Sequence, residues 1–289
     1  MRVLKLILIA IALWPAAPSW AQVSAPNAAG VSVGHFHYHV HDLDATKRFW
    51  VALGGVPARK IGTTDVIKFP GVLILLEEDE FLGGAEGSVI RHIGFRVPNL
   101  VHTLQTVEAA GYKVQVNPSA TPPRTGYAFT PDGEEIEFFQ DGRENVTFVL
   151  DGGKRDPIAE RHNQTLTVPI MSHHIHFLVP EGKVAEAKTW YVKMFGAVPG
   201  KRWNYEAADL PGMNLNFSEA PGAGAPTKGR ALDHIGLEVR NLEAFCKTLE
   251  ARGVTLDQAY AKGEGGLGQA FLTDPWGTSI ELTEGLRPQ

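Results

Sequence analysis

The chain repeats one short pattern, and the clearest copy reads His234-Ile235-Gly236-Leu237-Glu238-Val239. Apolar and other residues alternate along it, which is typical of a strand with one buried face. Three more stretches have the same alternation and the same leading histidine: His35-Phe36-His37-Tyr38-His39-Val40, His92-Ile93-Gly94-Phe95-Arg96-Val97 and His174-Ile175-His176-Phe177-Leu178-Val179. Each leading histidine therefore falls on the face opposite the apolar residues.

A helix is predicted after each of these strands, because apolar residues then recur at three- and four-residue spacing. Each helical stretch runs into a glycine, at Gly54, Gly111, Gly196 and Gly253, and glycine suits the left-handed residue that ends a helix. Shorter strand-like runs separated by turns follow. The sequence thus predicts an α+β fold of four βαβββ modules.

The closing strand of each module can be aligned on its turn glycine. The fourth position after that glycine is Leu75, Glu137, Asn216 and Glu281 in modules one to four, so only the even modules carry a carboxylate there. Apolar faces pack against helices, which leaves the leading histidines and these glutamates facing a cavity. Two imidazoles and one carboxylate with open positions suit a divalent metal such as Fe²⁺, Mn²⁺, Co²⁺, Ni²⁺ or Zn²⁺.

The residues allow two ways to pair the modules. Pairing one with two and three with four puts His35 and His92 with Glu137, and His174 and His234 with Glu281. Pairing one with four and two with three instead puts His35 and His234 with Glu281, and His92 and His174 with Glu137. Either way the prediction is two metal sites, each with two histidines and one glutamate.

The repeat and its best motifs, Leu232-Asp233-His234-Ile235-Gly236 and the run from Phe271 to Glu281, resemble the vicinal oxygen chelate superfamily. That group includes glyoxalases, extradiol dioxygenases, epimerases, fosfomycin-resistance transferases and bleomycin-binding proteins. The resemblance covers nearly all of residues 33–284. It implies paired modules forming half-open, barrel-like domains that chelate a metal and a substrate with adjacent oxygens.

We assign the domains from this resemblance as 33–140 (modules one and two) and 172–284 (modules three and four), joined by a linker over 141–171. A site of His174, His234 and Glu281 in the second domain would be most similar to that of extradiol dioxygenases. Those enzymes place a tyrosine ten residues before the final glutamate, where this chain has Phe271; Tyr127 holds the matching position before Glu137.

The sequence supports two alternative hypotheses about function. The first hypothesis is a metal-dependent lyase, isomerase or ring-cleaving dioxygenase acting on a small oxygenated molecule, with the metal as Lewis acid. His37, His176 and Tyr127 are its candidate acid–base residues, and no organic cofactor site is predicted. The second hypothesis is a module that binds or sequesters a small molecule without turnover. The glycine-rich run from 263 to 268 is predicted to form a lip over the cavity.

The N-terminus has the layout of a secretory signal peptide. Arg2 and Lys5 precede an apolar run from Leu6 to Trp14, and Ser19-Trp20-Ala21 offers a cleavage site after Ala21. That run is about half the ~20 residues needed to cross a bilayer, so we expect no membrane anchor after cleavage. The predicted location is periplasmic or secreted, as a monomer or homodimer.

Composition excludes other classes of function. The single cysteine among 289 residues rules out an intramolecular disulfide framework and a cysteine-based zinc cluster. Removal of the leader would change the net charge from −5 to −7, which argues against a nucleic-acid partner. The 11 histidines are the unusual feature, and most of them lie in the four leading strands.

Overall fold

The computed structural model describes residues 23–117, 125–140, 148–153, 166–263 and 266–286. The predicted signal peptide, residues 1–21, lies outside these ranges, so its cleavage stays a prediction.

Four copies of the predicted module follow one another along the chain. Module one consists of β1 (Val31–Val40), α1 (Leu43–Ala52), β2 (Val56–Ile61), β3 (Thr64–Phe69) and β4 (Val72–Glu78), and module two of β5 (Ile90–Val97), α2 (Leu100–Ala109), β6 (Val114–Val116), β7 (Thr125–Phe129) and β8 (Glu135–Gln140). A short strand, β9 (Phe148–Leu150), comes next. Module three consists of β10 (Met171–Pro180), α3 (Val184–Phe195), β11 (Val198–Arg202), β12 (Tyr205–Leu210) and β13 (Met213–Ala220), and module four of β14 (Leu232–Val239), α4 (Leu242–Ala251), β15 (Gln258–Lys262), β16 (Gly268–Thr273) and β17 (Ser279–Glu284). The predicted α+β class and the βαβββ order are confirmed.

Local chemistry fixes the ends of the helices. The Asp42 side chain accepts a hydrogen bond from the Ala45 backbone at the start of α1, and Asn99 does the same for His102 at the start of α2. Such caps satisfy amide groups that have no partner inside the helix. At the end of α3, Gly196 adopts a left-handed conformation with φ of 67°, as predicted from its position.

The strands form two sheets. The first sheet has the order β15-β16-β17-β14-β1-β4-β3-β2, and the second has the order β6-β7-β8-β5-β10-β13-β12-β11-β9. Module one therefore pairs with module four, and module two with module three. In each sheet the leading strands of the two modules lie side by side and antiparallel, and within the described residues the outer strands do not pair to close a barrel.

This topology decides which modules pair, a choice that the sequence left open: each predicted domain, 33–140 and 172–284, contributes one module to each sheet. Modules one and two are neighbours in sequence, but their leading strands β1 and β5 belong to different sheets. The alternative pairing is the observed one. The predicted linker over 141–171 contains β9, which pairs with β11 at the edge of the second sheet; residues 141–147 and 154–165 lie outside the described ranges.

One hydrophobic cluster includes buried residues of both sheets and all four helices. The ring centroids of Phe69, on β3, and Phe95, on β5, are 5.0 Å apart, and Trp50 of α1 also contacts Phe95. The apolar strand faces predicted from alternation are those that enter this cluster, for example at Phe36, Ile93 and Ile175. The opposite strand faces are consequently free to carry the polar residues.

Among the described residues, no helix has the length and the apolar character that crossing a membrane requires.

Candidate metal centres

The first site consists of His35 on β1, His234 on β14 and Glu281 on β17. One carboxylate oxygen, Oε2 of Glu281, lies 2.8 Å from Nε2 of His35 and 3.1 Å from Nε2 of His234. All three side chains are buried. The strands bring them together because β14 lies between β1 and β17, so that both neighbours present their polar face beside His234.

Two further side chains hold the first site in place. Nδ1 of His234 lies 2.6 Å from Oδ1 of Asp233, and the Gln269 amide donates a 2.7 Å hydrogen bond to Oε1 of Glu281. A carboxylate at Nδ1 favours the proton on that nitrogen and leaves Nε2 as a lone-pair donor. Asp233 therefore prepares His234 to bind a cation at the side that faces Glu281.

The second site consists of His92 on β5, His174 on β10 and Glu137 on β8. Oε2 of Glu137 lies 2.8 Å from Nε2 of His92 and 3.3 Å from Nε2 of His174, and the two ring nitrogens are 3.2 Å apart. The Tyr127 hydroxyl donates a 3.0 Å hydrogen bond to Oε1 of Glu137. Tyr127 thus makes the hydrogen bond to the glutamate that Gln269 makes in the first site, although it comes from a different strand position.

A chain of polar groups lies behind His174. Its Nδ1 is 2.9 Å from Nδ1 of His173, whose Nε2 is 2.8 Å from a guanidinium nitrogen of Arg202. Arg202 also donates a hydrogen bond to the Asn214 side chain. Because all these groups are buried, they restrict the orientation of the His174 ring from the side opposite Glu137.

Glycines make room for one imidazole in each site. A side-chain carbon at Gly236 would overlap the ring of His35, and one at Gly94 would overlap the ring of His174. Gly236 and Gly94 lie directly opposite these histidines in the antiparallel pairs β1–β14 and β10–β5. The His-Ile-Gly motif of the even modules therefore accommodates the leading histidine of an odd module.

Both glutamates are ionised in these surroundings. Burial by itself would raise the pKa of Glu281, but hydrogen bonds with His234 and His35 outweigh it and hold the pKa far below its usual value. The same balance lowers the pKa of Glu137, where burial is opposed by the charge of His92 and by hydrogen bonds with His174 and His92. Each site thus offers an anionic oxygen beside two imidazoles.

Burial would lower the pKa of His92 and His234, but Glu137 beside His92, and Asp233 and Glu281 beside His234, outweigh it and raise the pKa of both. Three other imidazoles are held neutral. Burial lowers the pKa of His174 to about 4. Burial, with repulsion from His234 as the next cause, lowers the pKa of His37 to about 3. Burial also places the pKa of His176 well below its usual value. Neutral imidazole is the form that binds a metal or accepts a hydrogen bond.

The structure brings together the six residues predicted as metal ligands, in the sets that follow from pairing module one with four and two with three. The expected set of His174, His234 and Glu281 is not formed, because His174 lies in the second sheet and the other two lie in the first. The parallel with an extradiol dioxygenase site in a second domain is lost for the same reason.

The position that would supply a fourth protein ligand differs between the sites. In the first site it is Leu75, which has no ligand atom, and it lines a cavity together with His234 and Glu281. In the second site it is Asn216, whose side-chain oxygen is buried without a hydrogen-bond partner among the described residues. Phe271 lies opposite Glu281 in the strand register, as Tyr127 lies opposite Glu137.

The three candidate acid–base residues lie beside the sites. His37 pairs with His234 in the strand register, and their ring centroids are 4.6 Å apart. His176 pairs with His92 in the same way, and its Nε2 lies 2.8 Å from the Ser218 hydroxyl. Tyr127 bonds to Glu137, as described above. Their catalytic roles stay predictions.

Sequence reasoning missed the groups that orient the sites: Asp233, Gln269, His173, Arg202 and the glycines Gly94 and Gly236. Asp233 and both glycines lie within the quoted motifs, next to a predicted ligand or two residues after it. Their closeness in sequence to the predicted ligands could have identified these three residues as part of the sites. No comparable signal connects Gln269 or Arg202 with the sites, because their contacts come from the pairing of strands.

A cavity of about 320 Å³ opens onto the first site. His37, His234 and Glu281 line it on the polar side, and Leu75 and Phe271 on the apolar side. Gly263 and Leu267 of the predicted lip contribute to its wall, whereas residues 264–265 lie outside the described ranges. A pocket of this size with a few convergent polar groups is typical of a small-molecule site.

Comparison with known proteins agrees with this architecture. The family model of the Glyoxalase/Bleomycin resistance protein/Dioxygenase superfamily matches residues 32–138 and 149–282. The chain therefore belongs to this superfamily. No curated protein matches it in sequence.

Solved structures share the fold at low sequence identity. Glyoxalase I from Zea mays is 16% identical with a TM-score of 0.62, over 88% of this chain and 92% of that one. A "putative dioxygenase" from Bacillus subtilis subsp. subtilis str. 168 is 13% identical with a TM-score of 0.61, over 91% of this chain and 86% of that one. At these identities the likeness shows a common fold, across both sheets.

Proposed function

We propose that this protein is an exported, divalent-metal-dependent enzyme that acts on a small molecule carrying adjacent oxygens. The first site, His35, His234 and Glu281, would hold the metal at which the substrate reacts. The second site, His92, His174 and Glu137, would hold another. Membership of the superfamily supports the class, and the geometry of the two sites supports the metal.

The spacing of the donor atoms is the observation that carries the proposal. Neighbouring ligands of an octahedral metal with bonds of about 2.1 Å are about 3.0 Å apart. In the second site the three distances among Oε2 of Glu137, Nε2 of His92 and Nε2 of His174 are 2.8, 3.2 and 3.3 Å. In the first site the two known distances are 2.8 and 3.1 Å. The three distances of the second site match one triangular face of such a metal, and the two of the first site match two edges of such a face.

The charge of each set also fits. One ionised carboxylate and two imidazoles leave a bound divalent ion with a net positive charge, and they leave coordination positions open to the substrate. A metal bound there would act as a Lewis acid that polarises an oxygen of the substrate. The protein's own groups then decide which molecule binds and where protons go.

His37 is the residue best placed to contact a substrate in the first site. It lines the cavity, and its low pKa keeps the ring neutral, so its protonated ring nitrogen can donate a hydrogen bond to a substrate oxygen. Leu75 and Phe271 give the cavity an apolar wall that favours a flat or apolar carbon skeleton. The Asp233 carboxylate and the Gln269 amide keep His234 and Glu281 oriented during binding.

In the second site, Tyr127 orients Glu137. Burial and the adjacent carboxylate raise the pKa of the tyrosine, so its hydroxyl keeps its proton and its hydrogen bond. His176 is engaged with Ser218. With Asn216 available as a neutral fourth ligand, this site has fewer open positions than the first. We therefore assign turnover to the first site.

Export rests on the sequence of the leader alone. A free N-terminus at Gln22 in protein recovered from the periplasm or medium would support it, and an intact Met1 would contradict it.

Metal analysis of purified protein and two matched variants tests the enzyme proposal. We expect Glu281→Gln and Glu137→Gln each to lower the bound divalent metal by one equivalent per chain, because each removes the anionic ligand of one site. Glu281→Gln should also reduce turnover at least 100-fold, whereas Glu137→Gln should keep most of it. Oxygen uptake with catechols and proton exchange in α-hydroxy ketones are suitable assays for the two reaction classes.

The outcomes separate the hypotheses. If both variants retain the metal content of the wild type, the two sites are not metal sites and the proposal is wrong. If the metal is lost as expected but the wild type binds such molecules without converting any, the small-molecule-binding hypothesis replaces the enzyme.

A further inference from the structure

Strand β1 carries more histidine than the first site uses. His35, His37 and His39 lie at alternate positions and so share the polar face of the first sheet. Of these three, His35 is the one whose ring nitrogen contacts Glu281. His39 pairs in register with Glu77 on the parallel neighbour β4, and His37 pairs with Leu75.

His37, His39 and Glu77, here called the outer set, converge beside the first site, where His37 also lines the cavity. One ligand atom from each of the three lies within 4.8 Å of the other two. Nε2 of His37 and Oε2 of Glu77 are 3.3 Å apart. His37 is buried, His39 is half-buried and the Glu77 side chain is 46% exposed, so the set extends from the buried face towards solvent.

Two ring nitrogens of the outer set are buried without a hydrogen bond. They are Nε2 of His37 and Nδ1 of His39, and neither has a hydrogen-bond partner within the described part of the chain. Leaving a buried polar atom unsatisfied costs about 1–3 kcal/mol. Two such atoms, in two residues that cluster with the Glu77 carboxylate, are explained by a ligand that all three residues share.

The second sheet shows what the same positions look like without such a set. There His176 corresponds to His37, but Leu178 stands in place of His39 and Ser218 in place of Glu77. Nε2 of His176 lies 2.8 Å from the Ser218 hydroxyl, so this imidazole is satisfied inside the protein. The fold therefore does not require three ligand residues at these positions.

We propose that His37, His39 and Glu77 form a second divalent-metal site of the first sheet, beside the first site. Two imidazoles and a carboxylate suit Zn²⁺, Co²⁺, Ni²⁺ or Cu²⁺ better than Mg²⁺ or Ca²⁺. The outer set is more exposed than the first site, so its ion exchanges more readily. The total of three ions per chain rests on the proposed function, whereas the outer set does not.

Cobalt titration of metal-free protein tests the proposal, followed by calorimetry and by visible absorption. We expect three equivalents of Co²⁺ in the wild type and two in the double variant His39→Leu/Glu77→Ser. That variant carries the residues of the second sheet, which shows that the fold accommodates them. Glu78→Ser, the same change one position along β4, is the control and should keep three. Circular dichroism of the metal-free proteins checks that each variant is folded.

The variants distinguish this proposal from the preceding one. If the double variant is folded and binds as much Co²⁺ as the wild type, the outer set is not a metal site. If Glu281→Gln and Glu137→Gln bind as the wild type does while the double variant loses one equivalent, the outer site stands and the proposed function fails. Loss of one equivalent in each of the three variants supports both.

Discussion

A buried carboxyl group lies at Glu134, in the turn that precedes β8. The backbone N–H of Ala85 donates a 2.8 Å hydrogen bond to this carboxyl group. Arg230 is close enough to lower the pKa of Glu134, but the two side chains form no ion pair among the described contacts. Burial is the largest influence and raises the pKa from 4.5 to about 7. The folded protein therefore holds a proton on Glu134 at pH values where the unfolded chain has lost it.

This shift in pKa predicts that Glu134→Gln increases the free energy of unfolding by an amount that depends on pH. Between pH 4.5 and about 7 the folded state binds the proton and the unfolded state does not, so stability falls as the pH rises through this window. The amide cannot ionise. The variant should thus match the wild type near pH 4.5 and exceed it by at most about 3 kcal/mol at pH 8.

Urea unfolding at pH 5 and pH 8 measures the difference in unfolding free energy. Glu243→Gln, at an exposed site paired with Lys247, is the control, and its difference from the wild type should be the same at the two pH values. A variant with a constant difference from the wild type at both pH values would show that Glu134 does not titrate in this window.

At the scale of elements, the sites depend on how closely two leading strands approach. Gly236 on β14 lies against the ring of His35 on β1, and Gly94 on β5 lies against the ring of His174 on β10. Both rings are buried with almost no exposed surface, so neither can swing away from an added carbon. The two strand pairs therefore need glycine for steric reasons at these positions.

The matched variants Gly236→Ala and Gly94→Ala test this requirement. We expect each to lose one equivalent of bound metal, from the first and the second site respectively, and to cost about 1–3 kcal/mol of stability through overpacking. Each variant serves as the control for the other, because only one sheet is altered. Thermal unfolding and metal analysis give the two quantities. Wild-type metal content in both would mean that the imidazoles can rearrange.

The same two strand pairs explain how far the sequence leads. Alternation places each histidine on the polar face, and the turn glycine places Glu137 and Glu281 at the same position of their strands. The ligand residues that each module contributes can therefore be predicted from that module alone. Which module pairs with which cannot be predicted in this way. Both possible arrangements pair an odd module with an even one, and the His-Ile-Gly motif accepts an imidazole from either odd module.

Most of the groups that orient the ligands cannot be predicted from the sequence, for a physical reason. Asp233 acts on its sequence neighbour His234 and could be inferred from one strand. Gln269 reaches Glu281 across β16 and β17, and Arg202 reaches His173 from β11. Contacts of this kind depend on sheet order and side-chain reach, which the pattern of apolar residues does not contain.

At the scale of the whole molecule, the two sheets share one hydrophobic cluster. Modules one and two, although they belong to different sheets, meet where Phe95 of β5 packs against Trp50 and Phe69. Modules three and four meet where the Tyr191 hydroxyl donates a 2.8 Å hydrogen bond to Asp274. The pairs one–two and three–four therefore connect the two sheets, while the pairs one–four and two–three build them.

This arrangement predicts that the sheets unfold together, and Phe95→Ala tests the prediction. Phe95 is fully buried, so its truncation should cost about 3–5 kcal/mol. Since Phe95 belongs to the second sheet and its ring partners belong to module one, we expect a single calorimetric transition at a lower temperature, with metal released from both sites in that transition. Val51→Ala, at an exposed position of α1, should shift stability by less than about 0.5 kcal/mol. Two separate transitions, of which only the one that releases metal from His92, His174 and Glu137 moves, would show that the sheets are independent folding units.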